Sequence, residues 1–190
     1  MSKQNEKGNM VFFHEWLRLE KKDFRILAML ADKAEFSGNL SDLCEYFSLS
    51  RQSSNRQNLR DSIQKLTGDF VECEVRGRTY TLRAIPKEKK IEIPRRWTIP
   101  IIQHQYNLES VSWENVLKVL IWIFENRKPI ITNAEIAKDL QISVDSITSA
   151  KNVLERELKA ILREIERIEF EDGSKRNIGQ RLSAIAEWSE

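Results

Sequence analysis

The stretch from Arg51 to Arg60 concentrates side chains suited to reading polar edges. Arg51, Gln52, Ser54, Asn55, Arg56, Asn58 and Arg60 fall within ten residues that contain no Asp or Glu. A guanidinium forks onto O6 and N7 of guanine, and an Asn or Gln amide makes the matching two-point contact with adenine. With Leu59, Ile63 and Leu66 as the buried stripe of a helix, these polar residues project from its outer side. Arg76 and Arg78 flank Gly77 and have nothing apolar to cover, which suits phosphates or a narrow minor groove. Lys89, Lys90, Arg95 and Arg96, with Lys87, suit either backbone neutralisation or a solubilising linker. The plain alternative for the Arg51–Arg60 stretch is a solvated helix face on an ordinary domain.

Charge is distributed unevenly around these residues. The net +2 of the 190-residue chain combines −1 over residues 1–50, +6 over 51–100 and −3 over 101–190. The middle segment holds twelve Lys and Arg against six Asp and Glu, so basic character is local to the candidate readers. Hydrophobic residues make up 41% and charged residues 32%, with six Gly and four Pro, which excludes a disordered or all-β chain. The longest apolar run, Val119–Phe124, is far short of a membrane span. Residues 1–7 lack the apolar core of a signal peptide. Cys44 and Cys73 have no partner at metal-ligand spacing, which fits a reducing cytoplasm.

Catalytic signatures are missing from the sequence. It has no Gly-rich phosphate loop, no His-Glu-x-x-His and no zinc-spaced Cys pair. His14 and His104 are isolated, and no Ser has a base and an orienting acid nearby in sequence. The expectation is a binding protein, not an enzyme, with no cofactor and no metal.

The elements that must hold the candidate readers follow from periodicity. Residues 1–9 read as a flexible N-terminus, and Met10–Phe13 as a short strand or a docking arm. From Lys22, Phe24, Ile26, Leu27, Leu30 and Ala31 share one helical face, ending near Phe36-Ser37-Gly38. A short helix over Asp42–Phe47 follows with Ser41 as its cap, then a turn, Ser48-Leu49-Ser50. Ser50 is expected to cap a third helix that runs to about Leu66, with Gly68 as its stop. After Gly68 the period changes to two. Residues 70–85 read as a hairpin with Gly77 at its tip. Residues 87–111 read as an extended basic linker or strap, where Trp97 and Tyr106 serve as apolar anchors or as base-stacking groups.

A second helical block opens at Ser112 with Trp113, Val116, Leu117, Leu120, Ile121 and Phe124. Pro129-Ile130-Ile131 is extended, Thr132 and Glu135 form a capping box, and a short helix runs to Leu140. After Gln141-Ile142-Ser143 a long helix begins at Val144. Leu154, Leu158, Ile161, Leu162, Ile165 and Ile168 keep helical spacing, so that helix is expected to be unusually long. A reduced wing over Ile168–Leu182 follows, with Ile185 and Trp188 closing the core. The two halves repeat: residues 43–50 match residues 136–143 at an offset of 93 in apolar, small and polar character, each ending on Ser. In both, a small residue (Cys44, Ala137) sits where the next helix crosses, and an aliphatic residue (Leu49, Ile142) plugs the turn.

Residues 39–66 resemble the helix-turn-helix core of the tandem winged-helix DNA-binding proteins of bacteria, plasmids and phages. These are transcription regulators and replication initiators. The resemblance spans about Met10 to Trp188 and implies an α+β chain, mainly α with small β-hairpins. It would hold two winged helix-turn-helix domains in tandem, over residues 10–86 and 112–190. It also implies that the helix after the first turn enters the major groove of double-stranded DNA, while the hairpin reaches the backbone or a minor groove. The expected setting is a cytoplasmic, nucleoid-associated protein, on a mobile element or a chromosome. In the second half the polar start Val144–Asn152 is followed by Glu155, Glu157, Glu164, Glu166, Glu169 and Glu171, which repel phosphate. Lys175 and Arg176 are its only basic pair near the wing. That half either contacts DNA or forms a homodimer through Leu154, Leu158, Ile161 and Ile165. A different class, the tandem winged-helix adaptors of chromosome-condensing complexes, shares this length, but such adaptors tend to be acidic.

Overall fold

The computed structural model describes residues 8–103, 111–126, 132–158, 161–169 and 175–184. It is a mixed α+β chain that divides into Met10–Glu92 and a unit made of Met1–Asn9 with Ile93–Glu190. None of the described helices is long and apolar enough to cross a membrane.

Strand β1 (Asn9–Phe13) leads into the Met10–Glu92 unit and is followed by a 3-10 turn over His14–Arg18. Phe12, Phe13 and Trp16 meet edge to face there, with ring centroids 6.2 and 5.3 Å from Trp16. Helix α1 (Lys21–Lys33) buries Phe24 and Ile26 through Leu30. It stops where Ala34 takes a positive φ of 62°. The sequence pattern carried this helix on to Gly38. Instead Glu35–Gly38 forms strand β2, which pairs with the hairpin and makes a three-stranded sheet. Four residues are too few for an alternation to show in the sequence.

Helix α2 (Leu40–Tyr46) is capped two residues earlier than expected. Asn39, not Ser41, closes a capping box: its Oδ1 accepts from Asp42 N–H at 2.9 Å, and Asp42 Oδ2 accepts from Asn39 N–H at 2.8 Å. Helix α3 (Ser53–Leu66) follows, burying Leu59, Ser62, Ile63 and Leu66. Strands β3 (Val71–Arg76) and β4 (Thr79–Ala84) form the expected hairpin, in sheet order β2-β4-β3. Gly77 takes φ +62° at the first of two loop residues, a position other side chains rarely tolerate.

Helices α1 and α3 share a charged contact. Lys65 Nζ lies 2.9 Å from Oδ2 of the fully buried Asp23 and 3.9 Å from Glu20. The Asp23 hydrogen bond and charge raise the Lys65 pKa above its ordinary 10.5. A raised folded-state lysine pKa adds stability that is complete below 10.5 and is lost as pH climbs through the folded value. Denaturant unfolding across pH 7–12 is therefore expected to show Lys65→Met less stable than wild type at neutral pH. The two stability curves converge at the alkaline end.

Strand β5 (Lys90–Pro94) turns Ile91 and Ile93 inward and pairs with β1. The expected extended strap over 87–111 is corrected here, because Arg95–Ile102 forms helix α4 with Trp97, Ile99, Ile101 and Ile102 buried. The prolines that suggested an extended path are compatible with it. Pro94 sits at the N-cap, and Pro100 interrupts only the end of a short helix. Trp97 is an apolar anchor, while Tyr106 and His104 lie outside the described residues.

Helix α5 (Trp113–Glu125) is capped by Ser112, whose side chain accepts from Asn115 N–H. Helix α6 (Asn133–Leu140) opens on the Thr132–Glu135 capping box. Helix α7 (Val144–Val153) is capped by Ser143, and a π-helical turn covers Leu154–Leu158. The very long helix expected from Val144 does not form. Ile161–Glu169 is strand β6, paired antiparallel with β7 (Lys175–Ala184) and bulged between Glu166 and Arg167. Ile161, Ile165 and Ile168 satisfy helical spacing, but β-branched residues also favour strands, and a short run cannot separate the two. The self-association stripe is corrected with it: Leu154 is fully buried, and Ile161 and Ile165 belong to a strand. Pro129–Ile131, Ile185 and Trp188 lie outside the described residues.

Candidate nucleic-acid interface

The turn between α2 and α3 determines which side chains α3 can present. Ser48 takes φ +55°, and Leu49 N–H returns to Cys44 O at 2.8 Å, which brings α3 across the fully buried Cys44. Asn55, expected as a reader, locks this turn. Its Nδ2 donates to Ser50 O at 3.0 Å and to Ser50 Oγ at 2.9 Å. Ser50 is thus an acceptor for Asn55, and the α3 N-cap is Gln52, without a side-chain bond. Arg51 and Gln52 precede the helix, and Arg51 Nη2 holds Glu45 at 3.2 Å.

Along α3, Ser53, Arg56, Gln57 and Arg60 recur at spacings of three and four and occupy one side. They line a cleft of about 510 Å³ with Asn39, Leu40 and Ser41 at the start of α2, and with Gly77, Arg78 and Tyr80 of the hairpin. Arg60 Nη1 donates to Gln57 Oε1 at 3.2 Å, while Gln57 Nε2 donates to Asp61 Oδ1 at 2.7 Å. Gln57 thereby stands between Arg60 and Asp61 in a chain of hydrogen bonds. Arg56 and Arg78 have no carboxylate within ion-pair distance among the described residues. Three guanidinium groups from two elements therefore converge on one open cleft with little compensating charge. A polyanion threaded between α3 and the hairpin tip would meet all three.

The remaining expected residues are placed elsewhere. Ser54 and Asn58 are exposed but do not line the cleft. Arg76 is held on Glu74, with its Nε at 2.8 Å and Nη2 at 2.7 Å from one carboxylate oxygen. Lys90 pairs with Glu92 at 2.8 Å, and Lys89 is exposed on the approach to β5. Arg95 and Arg96 belong to the other unit, where Arg96 stands 5.8 Å over the Trp97 ring and Arg95 N–H donates to Gly8 O. The sequence reading missed Ser53, Gln57, Asn39, Ser41 and Tyr80. Helical spacing from Arg56 and Arg60 points to the first two, whereas the others reach the cleft only through the fold.

No family model matches this chain, and no curated protein is significantly similar to it. The geometry of the cleft therefore carries the functional argument alone.

The corresponding helix of the second half has different chemistry. Along α7 the exposed positions are Val144, Asp145, Thr148 and Asn152. Its one cation, Lys151, is fully buried, with its ammonium on Asn133 Oδ1. Asn133 Nδ2 also donates to Thr148 Oγ1 at 3.0 Å, so these polar groups tie α6 to α7. No group of three or more His, Cys, Asp or Glu able to hold a metal occurs among the described residues.

Proposed function

We propose that this chain is a double-stranded DNA-binding protein of the tandem winged helix-turn-helix kind, acting in transcription regulation or replication initiation. Its role is binding, without catalysis or cofactor, in the cytoplasm at the nucleoid. The observation that carries the reading is the cleft between α3 and the β3–β4 loop, where Arg56, Arg60 and Arg78 face open space together. Charge-assisted contacts to phosphate from these three hold the duplex in register, and the polar groups of Gln52 at the N-cap and of Ser54 and Asn58 on the outer side of α3 lie nearest the bases. The acid-free run from Arg51 to Arg60 supports the same assignment. The order helix, short helix, turn, helix, hairpin recurs in α5, α6, α7 and β6–β7. In that second module α7 exposes no cation, so it lacks the guanidinium array that α3 presents.

Fluorescence titration of a labelled duplex with the full chain tests the reading. Binding to random duplex is expected in the micromolar range at low salt and to weaken steeply as salt rises. Failure to bind at low salt contradicts it.

A further inference from the structure

The sheet order β2-β4-β3 leaves one edge of β3 without a neighbouring strand, touched only at its start, where Thr67 bridges to Val71. A two-residue loop closed by Arg76 and Thr79 makes that pair hydrogen-bonded, and the bonded pairs then alternate: Glu74 with Thr81, Glu72 with Arg83. Ile85 N–H donates to Phe70 O at 2.8 Å and continues the same parity. The N–H and C=O groups of Cys73 and Val75 therefore point out of the sheet, and they have no partner among the described residues. Val75 is 53% exposed, one of two large hydrophobic side chains that open to solvent among those residues.

Open edges are usually protected by charges that repel a second strand. Here the charges have the opposite arrangement. Along β3 and its loop the order is Glu72, Glu74, Val75, Arg76, Arg78, acids on one side of the valine and bases on the other. Three symmetric antiparallel registers would use the outward-facing groups. Centring on Cys73 sets Glu72 against Glu74 twice. Centring on Glu74 sets the two Glu74 side chains against each other while pairing Glu72 with Arg76, so each of these registers carries a like-charge clash. Centring on Val75 places each Glu74 opposite an Arg76 and brings valine against valine. Opposite charges across strands attract and like charges repel, so the sequence itself selects the third register.

We propose that β3 pairs edge to edge with β3 of a second copy of this chain, antiparallel and centred on Val75. The Glu74–Arg76 bridge within each hairpin, 2.7 Å long, then becomes part of a cluster of four alternating charges. The pairing is isologous, as two-fold dimers require. It rests on the hairpin's geometry and charge order and not on the DNA reading.

Sedimentation equilibrium of the full chain tests the proposal. Wild type is expected to dimerise, less tightly as salt rises. Glu74→Arg alone, or Arg76→Glu alone, sets like charges against each other twice and is expected to raise the dissociation constant at least about tenfold. Mixing these two single variants restores association, because every cross-strand pair between them is again opposite in charge. The double variant Glu74→Arg/Arg76→Glu also restores it. Both positions are exposed, and melting curves check that each variant is folded. A wild type that stays monomeric at about 0.1 mM overturns the proposal. So does a dimer indifferent to both single variants, or a mixture that does not recover.

Discussion

Replacing Arg56, Arg60 and Arg78 together by Ala is expected to weaken binding to duplex DNA roughly a thousandfold. Each guanidinium on a phosphate contributes about 1.5 kcal/mol as a charge-assisted hydrogen bond, close to a factor of ten. All three are exposed and none supports the core, so the melting temperature is expected to stay nearly constant. Arg51→Ala is the matched control: its guanidinium already holds Glu45, and its loss is expected to cost far less affinity. Fluorescence anisotropy against one random duplex compares Arg51→Ala with each cleft arginine replaced singly and with the triple variant. Equal losses for Arg51 and the cleft arginines would mean that net charge, and not the cleft, sets the affinity.

The largest loss of stability is expected one turn away, at Leu59. It is fully buried on the inner side of α3, and Leu59→Ala removes apolar contacts and leaves a cavity, at a cost of about 2–5 kcal/mol. Its neighbour Asn58 is exposed, and Asn58→Ala is expected to change stability by less than about 0.5 kcal/mol. Urea unfolding of the two variants side by side checks the orientation of α3. Similar losses would mean the helix is rotated from the position described.

Much of this architecture is legible in the sequence because it depends on strong local signals. The Thr132–Glu135 capping box, the Ser112 and Ser143 caps, Gly77 at the hairpin tip and the Leu59, Ile63, Leu66 stripe all appear where the residues place them. The misreadings occur where local signals compete. Ser41 and Asn39 are both good caps, and the reciprocal bond to Asp42 favours Asn39. Pro94 and Pro100 argued for a strap, yet burial of Trp97 and three isoleucines holds a helix. Around Ile161 helix and strand spacing coincide, and pairing with β7, where Ile161 meets Ala184, decides. Strand β2 exists only because β4 lies beside it.

The candidate interface was half visible. Residue types identified Arg56, Arg60 and Arg78, but nothing in the linear order distinguishes them from Arg51 and Arg76. Those two are neutralised by Glu45 and Glu74, partners six and two residues away. Asn55 likewise has the chemistry of a reader, while the fold uses it to fasten the turn at Ser50. The cleft itself depends on the hairpin folding back toward the starts of α2 and α3, a long-range placement that spacing along the chain does not encode.

The salt dependence of duplex binding tests the central claim most directly. Each phosphate contact contributes about 0.9 to the slope of log affinity against log salt, so wild type and the Arg56, Arg60, Arg78 triple-alanine variant are compared on one random duplex from low to physiological salt. The cleft account predicts a slope flatter by close to three units in the variant, on a fold with unchanged stability. Parallel lines for the two proteins would show that the phosphates are held elsewhere and would contradict it.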